Sequence, residues 1–492
     1  MTKKSTRLLL VIIMLFWFIA AHSEDMLFPF PTGLLAQSDG ILLVPEAERH
    51  WSFIVLGVWP NQGDYYMLPQ ISDAKHAPKE QSKRLYKELF RLNFELSHGA
   101  IIKSLPEYTH IYVALPDRKF LKISKGGERE LFTDYLKERC GWSDEKINRQ
   151  VHFFKSPSFL QWAQDSSEIL GRDKKGRLII AADPFNYNNS YGIVKSLADT
   201  YPENFVLKKL GSAVSSEGGD MELVWAPKRE GLVLMVGRNR VNQYFNRTRQ
   251  MPLKDISFSE DMMEEFKRAY SQEFYGLRVE IVPKKMLEDS TIAAEDLFHL
   301  DMSVAIMSND KIVNAFVPTY NGTAVKKDAM TNTNLDPRLV KLWQGEYDEV
   351  AAQLTKMGYD VVRLPFSDHP VRCPVNIGKF VNRDTLESSI ILGRYPSAHA
   401  DTGEISPQQM IQEALDDLVY KSDAWKHDPI NGNFQAFLIS IKKMWIIMDA
   451  VSTMPNKEYD KQSEIFTKYG YKVVKVPVYA WGAGGLHCDL LY

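Results

Sequence analysis

Cysteine is scarce: the 492 residues contain three, Cys140, Cys373 and Cys488. Three thiols cannot build a disulfide framework, and no two of them stand as C-x-x-C, so neither a stapled scaffold nor a structural zinc site is expected. Charge of one sign is also lacking. Sixty basic residues face sixty-two acidic ones, so no global field draws the chain to nucleic acid or to an anionic membrane. Acidic loops of the D-x-[DN]-x-[DN]-G form, which hold calcium, do not occur. Low-complexity stretches and long flexible linkers are missing too. What remains is a globular composition, 45% hydrophobic and 25% charged, which excludes disordered, collagenous and coiled-coil classes.

The apolar run at 8–21 (LLLVIIMLFWFIAA) has fourteen residues, short of the roughly 20 that a bilayer-spanning helix needs. It follows a basic start, MTKKSTR, and is closed by Ala21-His22-Ser23. Small residues at −3 and −1 of a cut before Glu24 mark residues 1–23 as a secretory signal peptide, with an uncleaved anchor as the alternative. The mature chain is then expected outside the cytoplasm, secreted or periplasmic, with no stable membrane span after cleavage. Residues 24–40 read as a lead-in and 41–492 as one large catalytic domain. Sequons at Asn188, Asn246 and Asn321 are relevant in a eukaryotic source.

Along 41–492 the pattern is α/β. Short Val- and Ile-rich runs at 52–59, 110–115, 177–182, 232–236, 304–307, 389–392, 445–448 and 472–478 predict strands. Helical periodicity fills 78–96, 259–270, 347–357, 407–419 and 458–469. Twice a helical stretch stops at a glycine, Gly358 and Gly470, and a strand-like run follows. Helix, glycine stop and strand in that order are the grammar of α/β folds.

Four short segments carry the candidate chemistry. Near the C-terminus, Gly482-Ala483-Gly484-Gly485-Leu486-His487-Cys488-Asp489 runs glycines into a thiol. Such glycines let backbone approach a ligand closely, and a thiolate is the form that attacks carbon. The alternative is a buried cysteine behind a glycine turn. In His299-Leu300-Asp301, a strand would put imidazole and carboxylate on one face, a common acid/base pairing, although alternation alone also yields polar pairs of this spacing. Glu217-Gly218-Gly219-Asp220 sets two carboxylates around paired glycines, which either line a cationic pocket or form a solvated turn. Trp162 with Asp165 offers a flat apolar wall beside an anion, or a helix end with a core tryptophan.

Together these segments supply a thiol, an imidazole and several carboxylates, with no set of metal ligands. Buried anions need partners, which points to a cationic substrate. A planar guanidinium held by two carboxylates leaves its central carbon open to a thiolate from one face.

In this order the segments resemble the pentein superfamily of guanidine-modifying enzymes, whose pattern is W-x-x-D, E-G-G, H-x-D and a glycine-rich H-C. Here it stands as Trp162…Asp165, Glu217-Gly218-Gly219, His299-Leu300-Asp301 and Gly484-Gly485-Leu486-His487-Cys488. Pro45-Glu46-Ala47-Glu48-Arg49-His50 with Val58-Trp59-Pro60, and Phe185-Asn186, look like the agmatine deiminase and bacterial peptidylarginine deiminase branch. The resemblance implies a five-bladed α/β propeller of ββαβ modules around a substrate channel. Asp165 and Asp301 would grip the guanidinium, Cys488 would attack its carbon, and His299 would protonate the departing ammonia and then activate water. Glu217 would orient His299 or the substrate, and Trp162, Asp220 and Arg240 would contact the substrate. Arg238 and Arg240, after the run at 232–236, would bind a substrate carboxylate as in arginine deiminases, or else are ordinary solvated charges. No metal or organic cofactor is implied. The implied partner is a guanidino compound, either peptidyl-arginine or agmatine, and the reaction is hydrolysis to a ureido product. Amidino transfer, or an inactive pentein that only binds cations, is the alternative. Departures from the pattern are Gln164 before Asp165, Ser166-Ser167 after it, and Asp489 after the thiol, where an anion raises a thiol pKa.

Overall fold

The computed structural model describes residues 40–57, 78–116, 127–157, 167–185, 191–251, 258–283, 299–308, 312–320, 336–367, 373–395, 405–429 and 433–478. The expected signal peptide and all of the lead-in except Gly40 lie outside them. The fold is mixed α/β, with sixteen strands in five separate sheets among the described residues.

After a two-residue strand β1 (Leu42–Leu43), sheet one is all parallel: β2 (Phe53–Gly57), β3 (His110–Pro116) and β4 (Val151–Ser156). In sheet two, β5 (Ser167–Arg172) and β6 (Leu178–Ala182) form an antiparallel pair. The helix Tyr191–Thr200 then returns the chain to β7 (Phe205–Lys209), parallel to β6, and β1 adds to the outer edge of β5. Three further sheets repeat this order. β8 (Met221–Trp225) and β9 (Leu232–Gly237) pair antiparallel and β10 (Arg278–Val282) joins β9 in parallel. β11 (Ala305–Ser308), β12 (Val313–Tyr320) and β13 (Asp360–Phe366) do the same, as do β14 (Gly378–Val381), β15 (Ser388–Arg394) and β16 (Lys472–Pro477). Four sheets are thus antiparallel pairs followed by one or more helices and a parallel strand.

The middle strands read as near-continuous apolar runs because both of their faces are covered. In β9 (LVLMVG) every residue after Leu232 is buried. Five hydrophobic clusters fill the spaces between sheets, and their membership forms a closed cycle. Phe53, Tyr112, Ile169 and Ile180 join sheets one and two. Leu170, Ile179, Leu223 and Leu234 join two and three. Val233, Met235, Ile306 and Ala315 join three and four. Met307, Phe316, Ile390 and Leu392 join four and five. Ile391, Val476, Ile54 and Ile111 join five back to one.

Residues 44–52 touch all five sheets. Val44 N–H donates to Leu170 O at 2.9 Å, and Arg49 pairs with Glu168 at 2.6 Å. Glu48 accepts from Trp225 Nε1 at 2.7 Å and from Ser308 Oγ at 3.0 Å. Lys379 lies between Glu46, at 3.0 Å, and Glu222. Thr109 Oγ1 donates to Trp51 O at 2.6 Å, beside β3. Lys379 is 2% exposed. Burial alone would lower its pKa, but the Glu222 and Glu46 carboxylates outweigh it and hold the ammonium charged above its ordinary value.

Gly358 and Gly470 sit at φ of +96° and +90°, the left-handed backbone that ends the helices Pro337–Met357 and Lys457–Lys468 before β13 and β16. The run at 445–448, expected as a strand, lies instead inside the helix Asn433–Thr453. Its buried neighbours Phe437, Ile441, Met444, Met448 and Val451 recur at helical spacing. Four consecutive apolar residues do not separate a strand from a buried helix, and the 3.6-residue period of the longer window decides. Of the three sequons, Asn246 is described. Its amide is half-buried and donates to Met251 O at 2.7 Å. Among the described residues no helix is long and apolar enough to cross a membrane.

Replacing Lys379 with methionine removes the ammonium from between two buried carboxylates at similar side-chain volume. Breaking a buried ion pair in this way costs about 3–5 kcal/mol, so K379M is expected to lower the urea-unfolding midpoint by a corresponding amount, measured by circular dichroism.

Candidate functional site

Glu217 is extended (φ −151°, ψ 108°), and Gly218–Asp220 make one 3₁₀ turn that leads directly into β8. Asp220 N–H donates to Glu217 O at 2.8 Å. All four residues are buried, so this is not the solvated glycine turn that loop composition suggests.

The helix Arg238–Arg249 starts where β9 ends and brings Arg240 over the turn in its first helical turn. Arg240 Nε donates to Asp220 Oδ2 at 2.8 Å, and Nη2 pairs with Glu217 Oε2. Nη1 donates to Ser215 Oγ at 3.0 Å and to Gln243 Oε1 at 2.9 Å. Gly237 makes room for this arrangement, since a Cβ there would stand 1.5 Å from Asp220 Oδ1. Arg240 is 2% exposed and is not a solvated charge. Arg240 and Asp220, both expected at the substrate, are engaged with each other.

His299 lies opposite. The expected strand is a 3₁₀ turn, Leu300–Met302, with His299 extended before it and Met302 N–H donating back to His299 O at 3.2 Å. The two side chains converge for a different reason than alternation. The backbone of Gly219 fits between them, and a Cβ on it would lie 2.7 Å from His299 Nδ1 and 3.2 Å from Asp301 Oδ2. His299 Nε2 and Glu217 Oε1 are 2.7 Å apart. Leu300 N–H donates to Asp220 Oδ1 at 3.1 Å. A carboxylate at Nε2 fixes the proton there, so that Nδ1 is the nitrogen that exchanges it.

Two residues that sequence reasoning did not single out complete this layer. Asn376 Nδ2 donates to Asp301 Oδ2 at 2.9 Å. Cys373, three residues earlier and 1% exposed, lies against the same region. Burial is the largest influence on its thiol, and with the Asp301 charge it pushes the pKa well above the ordinary range. A thiol so protonated is a packing residue. Nothing local in Cys373-Pro374-Val375-Asn376 marks the amide as functional, since asparagine in a turn is ordinary.

Electrostatically the cluster is tightly balanced. Burial pushes the Glu217 carboxyl up, yet the Arg240 guanidinium and the His299 imidazole outweigh it and hold the group below its usual range. Burial dominates at Asp220 and pushes it up to about 6 despite Arg240. Burial would lower Arg240, but Glu217 and Asp220 raise it above its ordinary value. A cavity adjoins the cluster, lined by His299, Asp220, Arg238, Ser303 and Glu346. Among the described residues no group of three or more His, Cys, Asp or Glu side chains is placed to hold a metal ion. Trp162, Asp165 and Cys488 lie outside the described residues.

No protein-family model matches the sequence, and no curated protein matches it. Among solved structures the chain is similar to a candidate arginine deiminase from Porphyromonas gingivalis. The identity is 14% and the TM-score 0.45, over 91% of this chain and 97% of that one.

Because the Gly219 backbone fills the gap between His299 and Asp301, Gly219→Ala forces both side chains apart. Overpacking of this kind costs about 1–3 kcal/mol. The expected result is a lower thermal midpoint for G219A than for the native protein, compared by scanning calorimetry.

Proposed function

We propose that this protein is a secreted deiminase of the pentein type, which hydrolyses the guanidinium of peptidyl-arginine or agmatine to a ureido group and ammonia. The observation that carries the reading is the buried contact between His299 and Glu217 beside Asp301, drawn from chain segments eighty-two residues apart. Two of the four sequence motifs meet there. The reading of the fold as a five-bladed propeller is supported by the five sheets, by the repeated ββαβ order in four of them, and by the closed cycle of clusters that joins each sheet to the next.

In this reading Asp165 and Asp301 hold the planar cation. The Cys488 thiolate attacks the guanidino carbon and a tetrahedral adduct forms. His299 gives its proton to one nitrogen, the C–N bond breaks and ammonia leaves. The carbon is now a thiouronium on sulfur. His299 takes a proton from water, hydroxide adds to the carbon, and the C–S bond breaks to return the thiolate while the hydroxyl proton passes to the released ammonia, leaving the ureido product and ammonium. Glu217 stabilises the imidazolium during both transfers. Atoms balance with water alone, which separates the reaction from amidino transfer, where an amine takes the place of water.

Purified native protein incubated with agmatine, free arginine and an arginyl peptide, with no amine added, is expected to release ammonia and ureido product in equal amounts from at least one of them. Cys488→Ser abolishes release. His299→Asn lowers it by about 10²- to 10⁴-fold, the range of a lost acid/base group. Native protein that releases ammonia from none of the three contradicts the reading.

A further inference from the structure

The two carboxylates around Gly218-Gly219 are used in the same way. Each places one oxygen on Arg240 and the other on the His299-Leu300 segment. Glu217 gives Oε2 to Arg240 and Oε1 to His299 Nε2. Asp220 gives Oδ2 to Arg240 Nε and Oδ1 to the Leu300 N–H. One guanidinium therefore braces both ends of the Glu217–Asp220 turn against which His299 and Leu300 rest, and does so through side chains that are at most 4% exposed. We propose that Arg240 is a positioning residue: it is the internal counter-ion that fixes Glu217 and Asp220 against the His299 turn and tunes the charge of the imidazole, and it does not receive a substrate carboxylate.

The donor geometry argues against a substrate clamp. Nε, Nη1 and Nη2 are each turned to a side chain of the protein, and a planar fork held on three sides has little freedom to swing toward a ligand. Ser215, which accepts from Nη1, is itself fixed by Tyr270: Tyr270 Oη donates to Ser215 O at 2.9 Å. The consequence for specificity follows. With its three donor nitrogens engaged inside the chain, Arg240 has nothing to offer a free α-carboxylate on the substrate.

The sign of the effect on His299 follows from the groups that face it. Glu217, Asp220, Asp301 and Glu346 favour the imidazolium, while Arg240 and Arg238 oppose it. Removing the Arg240 charge takes away an opposing cation, so the His299 pKa rises. Removing the Asp220 charge takes away a favouring anion, so it falls. Loss of packing alone does not give this pair of opposite shifts at the two positions.

This inference rests on the deiminase reading for its kinetic meaning only, and the experiment separates the two. The full-length protein is labelled at histidine ¹³Cε1, and the resonance of His299 among eleven histidines is assigned by its loss in His299→Asn. Titration of R240M is expected to raise the His299 pKa by about 1 unit, D220N to lower it, and R240K, which keeps the charge, to stay near the native value. Equal His299 pKa values in native and D220N protein overturn the proposal, as does a fall in R240M. Should R240M fail to fold, D220N and R240K decide. Where the native protein turns over agmatine and arginine, R240K is expected to change kcat/KM for both by the same factor, whereas a selective loss for arginine overturns the proposal in favour of a carboxylate clamp. Native protein inactive on every substrate defeats the deiminase reading and leaves the titration to judge Arg240.

Discussion

A charge removed from water must meet its opposite, and the inner parts of this fold are organised by that constraint. It is met twice. Around residues 44–52, Lys379 joins Glu46 to Glu222, and Arg49 joins the same segment to Glu168. The contacts span chain separations of more than a hundred residues, so they tie segments far apart in the chain to residues 44–52. At the candidate site Arg240 plays the corresponding part between Glu217 and Asp220.

The second pairing changes what the carboxylates can be for. Read as sequence, every acidic residue near a glycine pair looks like a ligand for a cationic substrate. In the fold, Glu217 and Asp220 already hold a cation of the chain itself, and their remaining oxygens orient His299 and Leu300. Asp301 is in a different position, oriented by the neutral amide of Asn376. Carboxylates that are neighbours in space are thus divided between supporting the imidazole and, in the proposed chemistry, meeting the guanidinium.

How much of this was legible depended on whether the signal was local. Strand centres such as β6 and β9 were, because burial on both faces leaves runs of Val, Ile and Leu. The helix ends at Gly358 and Gly470 were, because left-handed backbone favours glycine. The run at 445–448 was misread because its decisive period extends over twenty residues, not four. His299 and Asp301 were found as a pair for the wrong reason: they meet through a 3₁₀ turn and the bare backbone of Gly219, not by alternation along a strand. Asn376, and the internal role of Arg240, were hidden in a stronger sense. A lone arginine at a helix start and an asparagine in a turn look like surface residues until the partners that bury them, twenty and seventy-five residues away, are brought in by the fold.

The central claim is that these distant segments assemble to expose a guanidino carbon to one sulfur. Its most direct test is mass spectrometry of the acid-quenched native protein during turnover of agmatine or an arginyl peptide. The account predicts a thiouronium adduct on the Cys488 peptide that accumulates and then decays as ureido product appears. Formation of that product with Cys488 unmodified at every time, or with an adduct on Cys140 or Cys373 instead, would contradict it.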